Sequence, residues 1–412
     1  IRYFTNRNTK IRVYISEKNI TFGGIEEVDF AEGFFGRIKL IMAKKGFHSS
    51  KFDKGTKSKL EVFKEYFKES FPVFLHSPAF DEIFIYDFFA GQGQNAEGEY
   101  GTAFNILNEI KPYCNDIRKS KKKVFIILND NEESEILRTN VLGFFKTCKL
   151  SCLEECVFSE DKNLIIKSEN FETYFPRIYP AMLNRKKVAK ILYLDPFSFV
   201  IDSEILNKLA NVPSADFICF MPSSYLKRFP DTPSFNKYVD TQQIDIKNAK
   251  AVHCHRLIAS YYESLIPEDK EYYIGCFSVK KDSGYYGLIF GCNHTFGAEK
   301  FQKVCWKFDK ITGEADYNID RELTYDNQGV LFEEVKIPRK IQLFNLNLEN
   351  EIKSGKIKTD VEAYKYALHN RCLVKHAAQK LKALMDEGKI EKFKTINNDI
   401  HKLKTPTLIK IK

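Results

Sequence analysis

The chain has 412 residues, with 64 Lys and Arg against 55 Asp and Glu, for a net charge of +9. Hydrophobic residues make up 43% and aromatic residues 14%, which excludes a disordered chain and suffices for one large domain with a smaller one. No run approaches the ~18 apolar residues of a membrane span, so no membrane partner is expected.

The basic surplus gathers at Lys44-Lys45, Lys51 to Lys59, Lys119 to Lys123, Arg185-Lys186-Lys187 and Lys402 to Lys412. It favours a polyanionic partner, RNA or DNA. The plainer reading is a Lys-rich solvated surface. Ile1 to Lys10 is polar and basic with no apolar signal core, so a cytoplasmic protein is expected, and the absent initiator Met fits a processed or trimmed start. Residues 1–50 hold β-leaning stretches (Ile11 to Ile15, Arg37 to Ala43) and read as a small β-rich extension without chemistry. From Thr56, Leu60, Phe63, Tyr66, Phe67 and Phe71 recur at helical spacing, and Pro72 is expected to end that helix.

The stretch Phe84-Ile85-Tyr86-Asp87-Phe88-Phe89-Ala90-Gly91-Gln92-Gly93 organises the rest. An apolar run ends in an acid and breaks into a turn with two glycines, and Thr102 to Ile110 then reads as helix. Strand, Gly-rich turn and helix make the first βα unit of a doubly wound sheet. Gly91 and Gly93 let the backbone reach positive φ and approach a ligand. Dehydrogenase-type turns carry a third glycine at fixed spacing, which is absent here. The D-x-F-x-G-x-G order resembles the first motif of class I S-adenosylmethionine (SAM) methyltransferases, and the alternative is an ordinary turn of another α/β domain. That resemblance assigns Asp87, Ala90, Gly91 and Gly93 to the methionine end of the cofactor.

The second strand, Lys123 to Leu128, ends in Asn129-Asp130-Asn131-Glu132. An acid there hydrogen-bonds ribose hydroxyls in nucleoside-binding sheets, so Asp130 is the first candidate and Glu132 the second. Asp130 can equally cap the helix expected over Glu132 to Phe145, and the two roles can coexist. A third strand, Asn163 to Lys167, is followed by Ser168, Glu169, Asn170 and Phe171. Methyltransferases place a polar residue near the adenine at that point, here Asn170.

The fourth strand runs from Ala189 into Asp195-Pro196-Phe197-Ser198-Phe199. It resembles the D/N-P-P-Y/F motif of methyltransferases that modify exocyclic amines. The resemblance implies that Asp195, Pro196 and Phe197 form the catalytic set, with Asp195 and a backbone carbonyl accepting hydrogen bonds from the amine and Phe197 or Phe199 stacking on the base. Orientation and desolvation would carry most of such catalysis. Phe197 stands where that motif has its second proline, and Ser198 where it has its aromatic.

The fifth strand is Ala215 to Met221, residues 231–270 form a polar excursion, and Tyr272 to Val279 with Tyr285 to Cys292 close the sheet. His294, before a helix from Ala298 to Phe308, reads as a satisfied polar residue. Val361 to Leu368, a turn at Asn370, a helix over Leu373 to Met385 and Gly388-Lys389-Ile390 give a helix–turn–helix with a wing. Lys375, Lys380 and Lys382 are its candidate nucleic-acid contacts. Of ten cysteines, Cys148, Cys152 and Cys156 recur every four residues but match no zinc-ribbon spacing. Cys254, between His253 and His255, reads as a structural residue on a strand. No metal site is expected.

Taken together, Thr56-Lys57-Ser58-Lys59-Leu60, Asp87 to Gly91, Asp195-Pro196-Phe197, the stretch Tyr286 to Lys307 and the C-terminal helix pair resemble the three-Cys-motif partner proteins. The resemblance covers about 55 to 400. It implies an α/β fold: a Rossmann-like class I methyltransferase domain over 51–325 and a C-terminal winged-helix domain over 326–412. It also implies a separate radical-SAM-like protein partner carrying three cysteines, in a bacterial or phage-borne setting. Ribosomal-RNA adenine-N6 methyltransferases are more distantly similar. The chain departs from the family form at Gln92, at Ser198 and in its N-terminal extension. Two functions are therefore expected to compete. One is a SAM-dependent methyltransferase acting on nucleic acid. The other is a catalytically silent scaffold docking a protein or DNA, in a phage-defence or mobile-element module. A nuclease has no P-D…E-x-K constellation to support it.

Overall fold

The computed structural model describes residues 12–15, 20–23, 51–147, 156–159, 162–196, 200–228, 237–281, 284–320, 338–395, 400–402 and 405–412. The expected strand at Arg37 to Ala43, Cys148, Cys152 and the Phe197-Ser198-Phe199 stretch lie outside them. Arg12–Ile15 pairs antiparallel with Ile20–Gly23 in a hairpin that belongs to a compact unit of its own. All the residues described from 51 onwards form a second unit.

That unit opens with α1 (Lys54–His76), whose N-cap Asp53 accepts the Thr56 N–H at 2.6 Å. Leu60, Phe63, Tyr66, Phe67 and Phe71 are buried, as their spacing predicts. Pro72 does not end the helix: it sits inside, and Phe74 and Leu75 beyond it are also buried. An interior proline costs ~3 kcal/mol. Two buried large apolar side chains at roughly 1.5–3 kcal/mol each offset it.

β1 (Glu82–Asp87) leads through the glycine turn to α2 (Thr102–Ile110) and α3 (Cys114–Ser120). β2 (Lys123–Asn129) is followed by α4 (Ser134–Thr147), β3 (Leu164–Lys167) by α5 (Phe171–Asn184), and β4 (Val188–Leu194) by α6 (Ser203–Asn211). β5 (Ala215–Met221) precedes α7 (Ser223–Arg228) and α8 (Cys254–Ser264). β6 (Tyr273–Lys281), β7 (Gly284–Cys292) and α9 (Thr295–Phe308) complete the layer. His253, Cys254 and His255 are not on a strand: they lie where a 3₁₀ turn runs into α8.

The seven strands run in the order β3-β2-β1-β4-β5-β7-β6. β1 to β5 are parallel, and β7 is antiparallel to both β5 and β6. β4 and β5 are buried at every position, as expected where helices cover both faces. The chain leaves β1 for β2 and β3 on one side, then returns to β4 on the other. The carboxyl ends of β1 and β4 therefore flank the switch point of a doubly wound sheet, where such sheets bind ligands.

Three more helices follow: α10 (Arg339–Lys353), α11 (Asp360–His369) and α12 (Val374–Asp386). Thr359 and Glu362 form a capping box at the start of α11. Two antiparallel bridges, Thr359 to Leu408 and Ile390 to Ile411, tie the chain end beside these helices. His369 stacks on Tyr273 of β6 at 4.5 Å, and the Trp306 Nε1–H donates to the Arg371 carbonyl at 3.2 Å. One hydrophobic core thus runs from the sheet into α10–α12.

Candidate functional site at the carboxyl edge of the sheet

Asp87, the last residue of β1, is fully buried. Its Oδ1 accepts the Phe89 N–H at 3.2 Å, and its Oδ2 has no hydrogen-bond partner among the described residues. Burial pushes its carboxyl up to about 8; Asp195 and Asp130 add to the rise, while the Phe89 N–H and Lys59 oppose it. The turn that follows uses its glycines as expected, with φ of 56° at Gly91 and 82° at Gly93. A Cβ on Gly93 would lie 2.7 Å from Phe104 Cε1, so the turn is packed down onto α2.

Asp130 serves as a clamp. Its Oδ2 accepts the Gly91 N–H at 3.0 Å, and its Oδ1 accepts the N–H groups of Glu132 and Glu133 at 3.0 and 2.8 Å. One carboxylate thus ties the glycine turn to the start of α4 and fills both of its oxygens. Glu132, the second ribose candidate, is exposed. Gln92 adds a second tie: its Nε2 donates to Glu133 at 3.0 Å and its carbonyl accepts from Asn140 at 2.9 Å.

Asn129 carries a role that its sequence position did not announce. Its side-chain amide donates to the carbonyls of Phe88 and Glu169 at 3.0 and 2.9 Å, and its Oδ1 accepts the Glu169 N–H at 3.0 Å. With its carbonyl accepting the Ala90 N–H at 2.9 Å, it fastens the ends of three strands together. Asn170 is exposed and caps α5, accepting the Glu172 N–H at 2.9 Å; its observed use is that cap.

Across the switch point, Asp195 follows β4 and Pro196 is buried behind it. Asp195 Oδ2 is held by the ammonium of Lys59, which α1 delivers from the opposite wall. Lys59 is 7% exposed, and its Nζ lies 4.6 Å from the centre of the Phe220 ring. The sequence placed Lys59 in the Thr56 to Leu60 stretch but gave it no role, since one basic residue in a basic stretch does not reveal its partner. Phe197, the third expected catalytic residue, lies outside the described residues.

A cleft of about 490 Å³ opens where Phe52, Lys57, Leu60 and Glu61 face Glu99 and Tyr100 of the turn. Lys57 at 2.7 Å, the Phe52 N–H at 2.6 Å and Asn95 at 2.8 Å hold the Glu99 carboxyl down to about 2. On α12, Lys375 and Lys382 are exposed on one face with Gln379. Lys380 turns away from them and pairs with Glu349 of α10 at 2.6 Å, which corrects its place in the basic face. His294 caps α9, its Nδ1 accepting the Phe296 N–H at 3.0 Å, in the satisfied role expected of it. Among the described residues no cluster of His, Cys, Asp or Glu is arranged to hold a metal.

No protein-family model and no curated protein matches this chain. The solved structures that match at a distance include two methyltransferases. The O-methyltransferase TomG from Streptomyces achromogenes, crystallised with SAM, shares 9% identity over 59% of this chain and 91% of its own, with a TM-score of 0.31. Human N-acetylserotonin methyltransferase, also with SAM, shares 13% identity over 58% of this chain and 55% of its own, with a TM-score of 0.23. The functional reading therefore rests on the site's own residues.

Proposed function

We propose that the chain is a SAM-dependent methyltransferase acting on a base amine of a nucleic acid. The observation that carries this is the unpartnered, buried Oδ2 of Asp87 beside the positive-φ Gly91-Gln92-Gly93 turn, with Asp195 across the switch point. The edge suits a cation: a positive charge brought to the buried Asp87 carboxyl, which stands at about 8 without one, would favour its ionised form. SAM, when bound, supplies a methyl group activated on a sulfonium. Asp87 and the turn backbone would hold its amino-acid end, and Asp130 would meet the ribose by giving up one of its N–H bonds. Asn170, which caps α5, would stand towards the adenine. Asp195 would accept hydrogen bonds from the acceptor amine and fix its direction, with Pro196 buried behind it. Binding of SAM by titration calorimetry tests the reading. Micromolar binding is expected in the wild type, with loss in Gly91→Leu and weakening in Asp130→Ala, both checked for an unchanged fold. A well-folded wild type that binds no SAM would sink it.

The bridges at Thr359–Leu408 and Ile390–Ile411 flank α11 and α12 as the wing of a winged helix would, and they support that reading of the C-terminal segment. Lys375 and Lys382 would then meet the phosphates. A second reading, a silent scaffold that docks a radical-SAM-like protein, is favoured by two observations: Asp195 already holds an internal cation, and both Asp130 oxygens are already engaged.

A further inference from the structure

Lys59 is placed where the proposed chemistry would put something else. Under that reading Asp195 receives an acceptor amine against an aromatic face. The structure gives it one already: the Lys59 ammonium on Oδ2, 4.6 Å from the Phe220 ring centre, with the lysine side chain 8% exposed. A carboxylate accepts N–H donors from an ammonium or from a base amine alike, and a ring face takes a cation or stacks on a base. As a stabilising device the pair is weak, because desolvating two charges largely cancels their attraction. The neighbouring inward positions of α1, Phe63, Tyr66 and Phe67, are aromatic.

The backbone that delivers Lys59 is anchored at the start of α1. Asp53 pairs with Lys281 of β6 at 3.6 Å, and a Cβ on Gly55 would lie 2.7 Å from the Lys280 carbonyl, so the start of α1 is seated on the sheet. The four-carbon stem of a lysine swings easily from such a base. We propose that Lys59 is a resident stand-in for the acceptor amine: it fills the Asp195–Phe220 corner, and a nucleobase with an exocyclic amine displaces it. This rests on the nucleic-acid methyltransferase reading.

The test compares oligoadenylate with oligopyrimidines that lack an exocyclic amine, oligouridylate as RNA and oligothymidylate as DNA, at one fixed salt concentration. Lys59→Met keeps the stem and removes the competitor, so oligoadenylate should bind several-fold tighter while the oligopyrimidines do not. Lys59→Arg should grip Asp195 with a two-pronged fork and weaken oligoadenylate alone. If Lys59 were merely structural, or a general phosphate attractant, its loss would leave binding unchanged or weaken all of the oligonucleotides alike. In the wild type, oligoadenylate but not the oligopyrimidines should raise acylation of Lys59 in a lysine footprint read by mass spectrometry. That measurement decides the matter even if a variant fails to fold. Wild-type binding with no gain in Lys59→Met and no change in the footprint overturns the stand-in alone. A wild type that binds none of the oligonucleotides overturns the nucleic-acid reading, and the stand-in with it.

Discussion

Burial moves Asp87, Asp216 and His255 away from their solution titration, and their effects on stability have opposite signs. Asp87 is raised to about 8 and Asp216, which accepts the Tyr66 hydroxyl at 2.6 Å, to about 7. An unfolded aspartate titrates near pH ~4, so the folded state keeps protons that the unfolded chain gives up. These two groups therefore lose stability as pH rises from ~4 towards 8 and 7 respectively, and are flat above. His255 is the converse: buried with neither ring nitrogen partnered among the described residues, it is lowered to about 3. Its unfolded form protonates near pH ~6.5, so its contribution is lost as pH falls from there towards 3. Thermal melts across pH should show a shallower fall between pH ~6 and 8 in Asp87→Asn, and a shallower acid fall between ~4 and 6 in His255→Phe. An unchanged profile in either variant would contradict its assignment.

At the scale of elements, the strands were legible because a run buried on both faces must be apolar nearly throughout, and β4 and β5 are. The glycine turn was legible because only glycine takes φ of 56° and 82° without strain. Pro72 misled because local propensity was outweighed by burial beyond it. His253-Cys254-His255 misled because three residues are too few to show a period. The join between α1 and β6 was not readable at all: Gly55 looks like any glycine until Lys281 Cγ and the Lys280 carbonyl are found 2.4 and 2.7 Å from its absent Cβ. Gly55→Ala should therefore lift the start of α1, costing roughly 1–3 kcal/mol by denaturant unfolding and loosening the Lys59–Asp195 pair. A variant as stable as the wild type would show that the seat is slack.

For the whole molecule, charge sorts into cations paired with acids of the same chain and cations on an open basic face. Glu349 collects Lys353, Lys380 and Lys389 at 2.7, 2.6 and 2.8 Å, and these ammoniums hold its carboxyl well below the usual range. Lys375 and Lys382 stay exposed. If α12 meets nucleic acid, replacing both by Ala should lower the slope of log affinity against log salt by about 2, about one for each phosphate left without its lysine. Lys380→Ala should leave that slope alone. Equal effects from all three lysines would mean that the net charge, and not this face, does the binding.

The sequence by itself determined the doubly wound sheet, the glycine turn and the acids that end β1, β2 and β4, because hydrophobic period, positive-φ demand and strand-end position are all local. It could not determine what those acids touch. Asp130 spans 39 residues to reach Gly91, Asn129 spans 40 to Glu169, and Lys59 spans 136 to Asp195. Such pairs leave no trace in local pattern, since each partner is an ordinary polar residue until the sheet closes. The tertiary structure alone turned Asp130 into a clamp, withdrew Lys380 from the basic face and set a lysine in the corner where an amine would sit. Burial makes those choices, because a charge or amide removed from water must find a partner wherever the fold brings one.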